Sequence, residues 1–452
     1  MRDLALAVIV FACLPLILWR PAIGILMWSW LSYMNPHRLA YGFAYTFPFA
    51  MWVACVTLVG LLFTKERKPI PWTPATVVWL AFVVWTCVTT LFALNPEDAA
   101  NEWQRMIKIQ LMTLLTLVLI NTRERIQALV WVLAFSIGFY GIKGGLFTLL
   151  TGGSYRVVGP PDTFIEDNNA MALALVMVLP LLIYLYRVVE SRRIKLAVLG
   201  CTLACALAVL GSHSRGGLLA GAAMLLALWL RSRKKLTLAV ALLLVLSPMI
   251  AFMPEQWSAR MHTIGTYEKD ASAMGRINAW GFAVNLANDR PVVGGGFQSF
   301  SVELFRRYAP NPEDHHDAHS IYFEVLAEQG YVGLFLFVTL LFTVLLLTRR
   351  LLLMAQGRDD LRWAGDLASA LQVSLVAYAV GGAFLGLAYF DLFYHLVALA
   401  IVTFAAVQKT LAEAPASADV DVDGVAGATI AEPLWGNDSA PTAGAVPSAD
   451  AR

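Results

Sequence analysis

The residues able to do chemistry are gathered in one stretch. His315-His316-Asp317-Ala318-His319-Ser320-Ile321-Tyr322-Phe323-Glu324 sets three of the chain's 7 His beside two acids. It closes the polar segment Pro254–Gly330, just before the apolar run Tyr331–Thr348. Histidine titrates near neutral pH and can take a proton there, so His319 is the candidate general base, with Asp317 beside it. A metal reading competes, because His315 and His319 are a helical turn apart with Asp317 between. However, His316 occupies the Glu position of HExxH and no clear third ligand follows, so no metal is expected. His315 and His316 read as solvated.

Two arginines could supply positive charge. Gly211-Ser212-His213-Ser214-Arg215-Gly216-Gly217 joins two apolar runs, with Ser214 suited to cap the second. Arg215 at a helix N-terminus makes an anion site; the same pattern also fits an arginine reaching for lipid headgroups. Ser272-Ala273-Met274-Gly275-Arg276-Ile277-Asn278-Ala279-Trp280 reads as a second helix start, ended by Asp289-Arg290-Pro291. Arg276 alone is a solvated loop arginine; paired with Arg215 on one face it matches what a diphosphate needs. Arg156, in the segment Gly152–Asn169, is a third cation there. Asp391, between the last two apolar runs, is either a helix cap or an intramembrane functional group. Arg156, Asp317 and Asp391 are secondary substrate-binding candidates.

The elements that position these groups follow from hydropathy. Apolar residues make up 59% and charged ones 14%, and mean hydropathy is +0.66. Soluble domains carry roughly a quarter charged residues. Repeated apolar runs of near-spanning length define an all-α, polytopic helical membrane protein, with about 12 transmembrane helices. One large periplasmic loop, 254–330, contains short helices and lies within a membrane domain over 1–412. The first pair of runs, Leu4–Trp19 and Ala22–Met34, is interrupted by Arg20-Pro21. Read as one broken crossing, it gives 12 crossings with the N-terminus inside; two full helices give 13. Nothing resembling a small-residue cleavage site follows Trp19, so the first run reads as retained.

Lys and Arg sort the loops. Lys65/Arg67/Lys68, Arg123/Arg125, Arg192/Arg193/Lys195, Arg231/Arg233/Lys234/Lys235 and Arg349/Arg350/Arg358/Arg362 fall in one alternating set, expected to be cytoplasmic. The other set, which holds the candidate site, then faces the periplasm. The 5 Cys all lie in apolar runs and imply neither disulfides nor a thiolate metal site. The segment 413–452, rich in Ala, Pro, Ser, Gly and Asp, reads as a disordered cytoplasmic tail; its Asp419-Val420-Asp421 is no convincing metal motif there.

The order of these features resembles the O-antigen ligase family of membrane glycosyltransferases, which includes O-antigen polymerases and protein O-oligosaccharyltransferases. The resemblance rests on Ser214-Arg215-Gly216, Gly275-Arg276-Ile277-Asn278-Ala279-Trp280, Pro291 to Gly296, His319-Ser320-Ile321-Tyr322-Phe323-Glu324 and Glu328-Gln329-Gly330. The family usually shows His-Asn where this chain has His319-Ser320. Trp30-Leu31-Ser32-Tyr33-Met34-Asn35-Pro36-His37-Arg38 is similar to the branch described as O-glycosylation ligases of exosortase systems. The resemblance implies an inner-membrane enzyme with its site facing the periplasm. It implies a glycan donor on undecaprenyl diphosphate, and transfer to a hydroxyl of lipid A–core, of protein or of another lipid-linked glycan. It also implies no cofactor, no nucleotide sugar and no nucleic-acid partner. Arg215 and Arg276 would hold the diphosphate and His319 would take the acceptor proton. A transporter would instead require charges within the spans and an internal repeat of spans; neither is evident.

Overall fold

The computed structural model describes residues 1–232, 234–262 and 271–413; the expected tail from 414 onward, with Asp419 and Asp421, lies outside the described residues. Met1–Lys409 forms one compact unit, and Thr410–Arg452 is assigned to a second. The described residues form α1 (Arg2–Trp19), α2 (Pro21–Met34), α3 (Phe49–Phe63), α4 (Pro74–Leu91), α5 (Pro96–Leu119), α6 (Arg123–Leu150), α7 (Asn168–Val188), α8 (Arg192–Gly211) and α9 (Arg215–Arg231). Beyond these run α10 (Lys235–Ala251), α11 (Glu255–His262), α12 (Ala271–Asp289), α13 (Val302–Tyr308), α14 (Ile321–Met354), α15 (Arg362–Gly382) and α16 (Asp391–Glu413).

Side-chain caps start several of these helices where the sequence offers an oxygen. Thr73, Thr122, Asp167, Ser214 and Ser301 each accept a hydrogen bond from a first-turn backbone N–H, satisfying donors the helix cannot. Every residue from Met171 to Leu182 of α7 and from Asp391 to Phe404 of α16 is buried, so these two helices form the centre. By contrast, α10 buries none of its described residues and lies at the periphery.

Among the described residues, eight helices are long and apolar enough to cross a membrane: α1, α4, α6, α7, α8, α14, α15 and α16. The expected 12 is not reached by this measure for two physical reasons. The helices α2, α3, α9 and α10 have only 14 to 17 residues, or roughly 21–26 Å at 1.5 Å per residue. The 24-residue α5 carries Glu97, Asp98, Glu102, Arg105 and Lys108 between its start and its midpoint turn.

The first two helices correct the sequence expectation. They meet at Arg20 (φ −130°, ψ 85°) and both pack against α3. Asp3, at the start of α1, accepts hydrogen bonds from the N–H groups of Gly42 (2.9 Å) and Ala44 (3.2 Å), in the segment that follows α2. Arg2 donates to the Leu39 carbonyl at 3.2 Å. The start of α1 and the end of α2 therefore share one face, and the pair is a hairpin rather than one broken crossing. Arg38 of that segment pairs with Asp162 at 3.1 Å. This puts the N-terminus on the face of the 152–169 loop, opposite to where the single-crossing reading placed it.

Both bundle ends are internally tied. At the end bearing the candidate residues, Leu94 N–H donates to Gly295 O at 2.8 Å, Val157 N–H to Gly211 O at 2.9 Å, and Asn168 Nδ2 to Ser212 O at 2.7 Å. At the other, Arg125 pairs with Glu66 at 2.9 Å and Arg187 with Asp366 at 3.4 Å. The basic loops thus gather at one end, as their alternation implies. The 254–330 segment carries its own small core. Ala279, Phe282, Ala283 and Leu286, on one face of α12, pack with Leu304, Phe305 and Tyr308 of α13 and with Ala327 of α14.

Candidate active site

The histidine segment has little regular structure and is held by α12. Asn278 clamps it three ways: Nδ2 donates to Asn311 O (2.8 Å) and Asp314 O (2.9 Å), and Oδ1 accepts from Asn311 N–H (2.8 Å). Trp280 Nε1 donates to Ala318 O at 2.8 Å, and its indole stacks on Phe323 at 4.9 Å. A Cβ on residue 275 would collide with the His316 ring, so only Gly275 permits the approach. The motif around Arg276 is thus the support that aims the histidine loop.

The Pro291–Gly296 turn does the same for the other side. Its Gly295 and Gly296 N–H groups donate to Ala327 O (2.8 Å) and Glu328 O (2.9 Å), capping the first segment of α14. The helix breaks at Gly330, whose φ of 69° and ψ of −174° suit glycine alone. Tyr331 N–H then donates to Pro291 O at 2.9 Å. Glu328 accepts from Gln298 N–H at 2.8 Å, and Gln329 bonds Thr89 and Tyr389. Glu328-Gln329-Gly330 thereby locks α14 onto α4 and the 383–390 loop.

These supports enclose a cavity of about 530 Å³, a size typical of small-molecule sites. His319 lines it together with Asp317, Glu324, Glu328, Glu166 and Asp167. His319 sits in the left-handed region (φ 41°), uncommon for a residue with a side chain. The neighbouring His315 and His316 rings are engaged, by Phe300 O (2.8 Å) and Asp314 (2.9 Å). Burial first, then the Arg276 guanidinium, hold the His319 imidazole below its usual pKa, against the opposing pull of Asp317 and Asp167. It is therefore neutral at neutral pH and able to accept a proton.

The other candidates fall in different places. Asp317 is exposed and lines the cavity. Arg215 is the first residue of α9, with Ser214 Oγ accepting from Gly217 N–H at 3.0 Å, as the sequence implies. It flanks the cavity rather than lining it, since Gly216 lies against the wall residue Leu385. Arg276 stands close enough to act on His319, but α12 starts by Ala271, so Arg276 is in its second turn and not at its N-terminus. Arg156 is exposed and lines neither this cavity nor the groove described below. Asp391 is buried as the first residue of α16, accepts from the Ser32 hydroxyl, and also lies outside the His319 cavity.

Glu324 and Glu328 are wall residues that the motif reading did not assign to the site. Their signal was present: two carboxyl groups one turn apart at the start of a largely apolar helix, which begins two residues after His319. A carboxyl group accepts hydrogen bonds from sugar hydroxyls and, when protonated, also donates one, so the wall suits a glycan, with positive charge confined to its flanks.

Comparison with known families gives two matches. Residues 200–338, which contain Arg215, Arg276 and His319, match the family described as O-Antigen ligase. Residues 1–190 match a family of unknown function (DUF5935). No curated protein matches the chain. The chain is a polytopic helical membrane protein whose residues 200–338 match the O-antigen ligase family. That match supports a ligase- or polymerase-type glycosyltransferase role with a lipid-linked glycan and an acceptor as partners.

Proposed function

We propose that this protein is an O-antigen ligase of the bacterial inner membrane. It transfers a glycan from undecaprenyl diphosphate to a hydroxyl of lipid A–core on the periplasmic side. The observation that carries this reading is the neutral histidine, His319, set in a carboxyl-walled cavity under the field of Arg276. The acceptor hydroxyl attacks the anomeric carbon, its proton passes to His319, and the carbon–oxygen bond to the diphosphate breaks. The electron pair leaves with undecaprenyl diphosphate, an intrinsically good leaving group that needs no strong acid. Charge growing on the diphosphate is met by Arg215 and Arg276, and such preorganised donors are worth about 10²–10³ in rate each. Attack opposite the leaving group inverts the anomeric centre. The wall carboxyls orient sugar hydroxyls. No step calls for a metal or an organic cofactor.

The test is single-turnover transfer by the purified protein from a lipid-diphosphate-linked glycan, offered lipid A–core, a peptide or a second lipid-linked glycan in separate reactions. Product on lipid A–core alone is the expected result. Product on peptide would make the protein an oligosaccharyltransferase, and elongation of the lipid-linked glycan would make it a polymerase.

A further inference from the structure

A second cavity, of about 670 Å³, lies beside the first on the same end of the bundle. It is a groove between α3 and α5 floored by α2, which packs against both. Met51, Ala54 and Leu58 of α3 form one apolar wall at helical spacing, with Leu31 of α2 and Met112 of α5 facing them. Arg105 and Lys108, successive on one face of α5, stand at its polar end, with Leu111 and Met112 the next turn down. The lining acids are already engaged: Asp162 by Arg38, and Asp391 by the Ser32 hydroxyl. Among the described residues Arg105 pairs with Glu102 at 3.8 Å and acts on Asp391 across the groove, and Lys108 forms no ion pair. His37 also lines the groove, but burial and then Arg38 hold its pKa near 4, so it is uncharged at neutral pH. The groove therefore presents hydrocarbon below and net positive charge above.

It also borders the His319 cavity. Thr163 and Phe164 line both, and the Arg105 guanidinium lies over the Phe164 ring at 3.9 Å. The two cavities thus share a boundary at Thr163 and Phe164, while Arg215 flanks the His319 cavity behind its Leu385 wall. A transferase that joins two lipid-borne substrates needs both to reach one base from separate sides.

We propose that the α2–α3–α5 groove is the acceptor's lipid site: it seats a hydrocarbon chain of a phosphorylated lipid whose phosphate meets Arg105 and Lys108. This rests on the ligase reading for what the acceptor is, whereas the groove itself is tested without turnover.

Cys55 lies in the groove and is exposed, which makes it a native reporter. The full chain in phosphatidylcholine nanodiscs is treated with a maleimide, and the Cys55 peptide is quantified with and without lipid A in the bilayer. Lipid A should slow Cys55 labelling about tenfold, and Lys108→Ala should reverse the protection. Equal labelling with and without lipid A, or equal protection by phosphatidylglycerol, would overturn the assignment. Turnover is the second readout. In Lys108→Ala and Cys55→Trp, the ratio of kcat/KM for lipid A–core over delipidated core oligosaccharide should fall about tenfold with donor binding retained. An unchanged ratio overturns the proposal, as does loss of donor binding, which would give the groove to the donor chain. If the wild-type protein transfers to neither acceptor, the ligase reading fails while Cys55 protection still reports on the groove.

Discussion

Near one end of the bundle the chain holds two histidines in polar surroundings built in opposite ways. His395 is wholly buried between α16 and α2. The Tyr33 hydroxyl meets its Nδ1 at 2.6 Å, Ser29 lies at 3.4 Å from its Nε2, and Trp28 stacks on its ring. Its neighbour Asp391 is tied to Ser32 in the same helix pair. His319 instead faces a cavity from a loop, and no hydrogen bond among the described residues engages its ring. A buried polar group whose partners are all supplied by the protein stabilises a packing arrangement. One left facing a cavity keeps its bonding capacity for something that arrives. A neighbouring acid does not distinguish the two cases, since each histidine lies within a few residues of one.

The sharpest test of that contrast is His319→Ala. Transfer should fall by roughly 10²–10⁴, the worth of a positioned base, while binding of the lipid-diphosphate donor and thermal stability are unchanged. Near-normal single-turnover transfer would make His319 a surface residue; lost donor binding would assign it to the diphosphate site, with Asp317 and Asp391 next to be tried as base.

Arg215→Ala and Arg276→Ala should each lower transfer by about 10²–10³ and weaken donor binding as well, because a diphosphate is charged before and after the bond breaks. Lysine at either position should restore activity in part only, lacking the bidentate fork. Retained donor affinity in both alanine variants would remove the arginines from the diphosphate site.

His395→Ala should show the opposite pattern to His319→Ala. It leaves the Tyr33 hydroxyl buried without its partner, costing about 1–3 kcal/mol of stability and lowering the melting temperature. Transfer per folded molecule should stay within about twofold of wild type. A large loss of turnover without loss of stability would erase the distinction between the two histidines.

The smallest expected effect is on pH dependence. Transfer needs neutral His319, so the rate should rise with pH through that group's pKa, which burial and Arg276 depress below the usual value near 6.5. Removing a nearby cation favours protonation. The acid limb of the residual activity in Arg276→Ala should therefore move to higher pH. An unmoved limb would mean that Arg276 does not act on the titrating group.

Much of the site was legible because its signals are local. Ser214 before Arg215 is a capping pattern, and α9 starts there. His319 stands out as a titratable residue in the one long polar interruption of an apolar chain, and the basic loops sort themselves by alternation. Arg276 shows where local signals stop. Ser272 looks like a cap, yet α12 starts by Ala271 and runs through it, which sets Arg276 in the second turn. The N-terminal hairpin was equally hidden. Whether a chain turns back at Arg20-Pro21 or only bends depends on Asp3 reaching Gly42 and Ala44, a contact between residues about forty positions apart.

The sequence by itself determined the class of the protein, since apolar runs in lipid must become helices to satisfy their own backbone. It also determined which residue types were available for acid–base and anion chemistry, and in what order. Only the tertiary structure decided which of them meet. It brought Glu166 and Asp167 from the α6–α7 loop, and Glu324 and Glu328 from α14, to one cavity with His319. It sent Asp391 to a groove with Arg105 and left Arg156 outside both. Side-chain convergence is set by the packing of helices distant in sequence, and that depends on the summed contacts of whole helix faces rather than on any short motif.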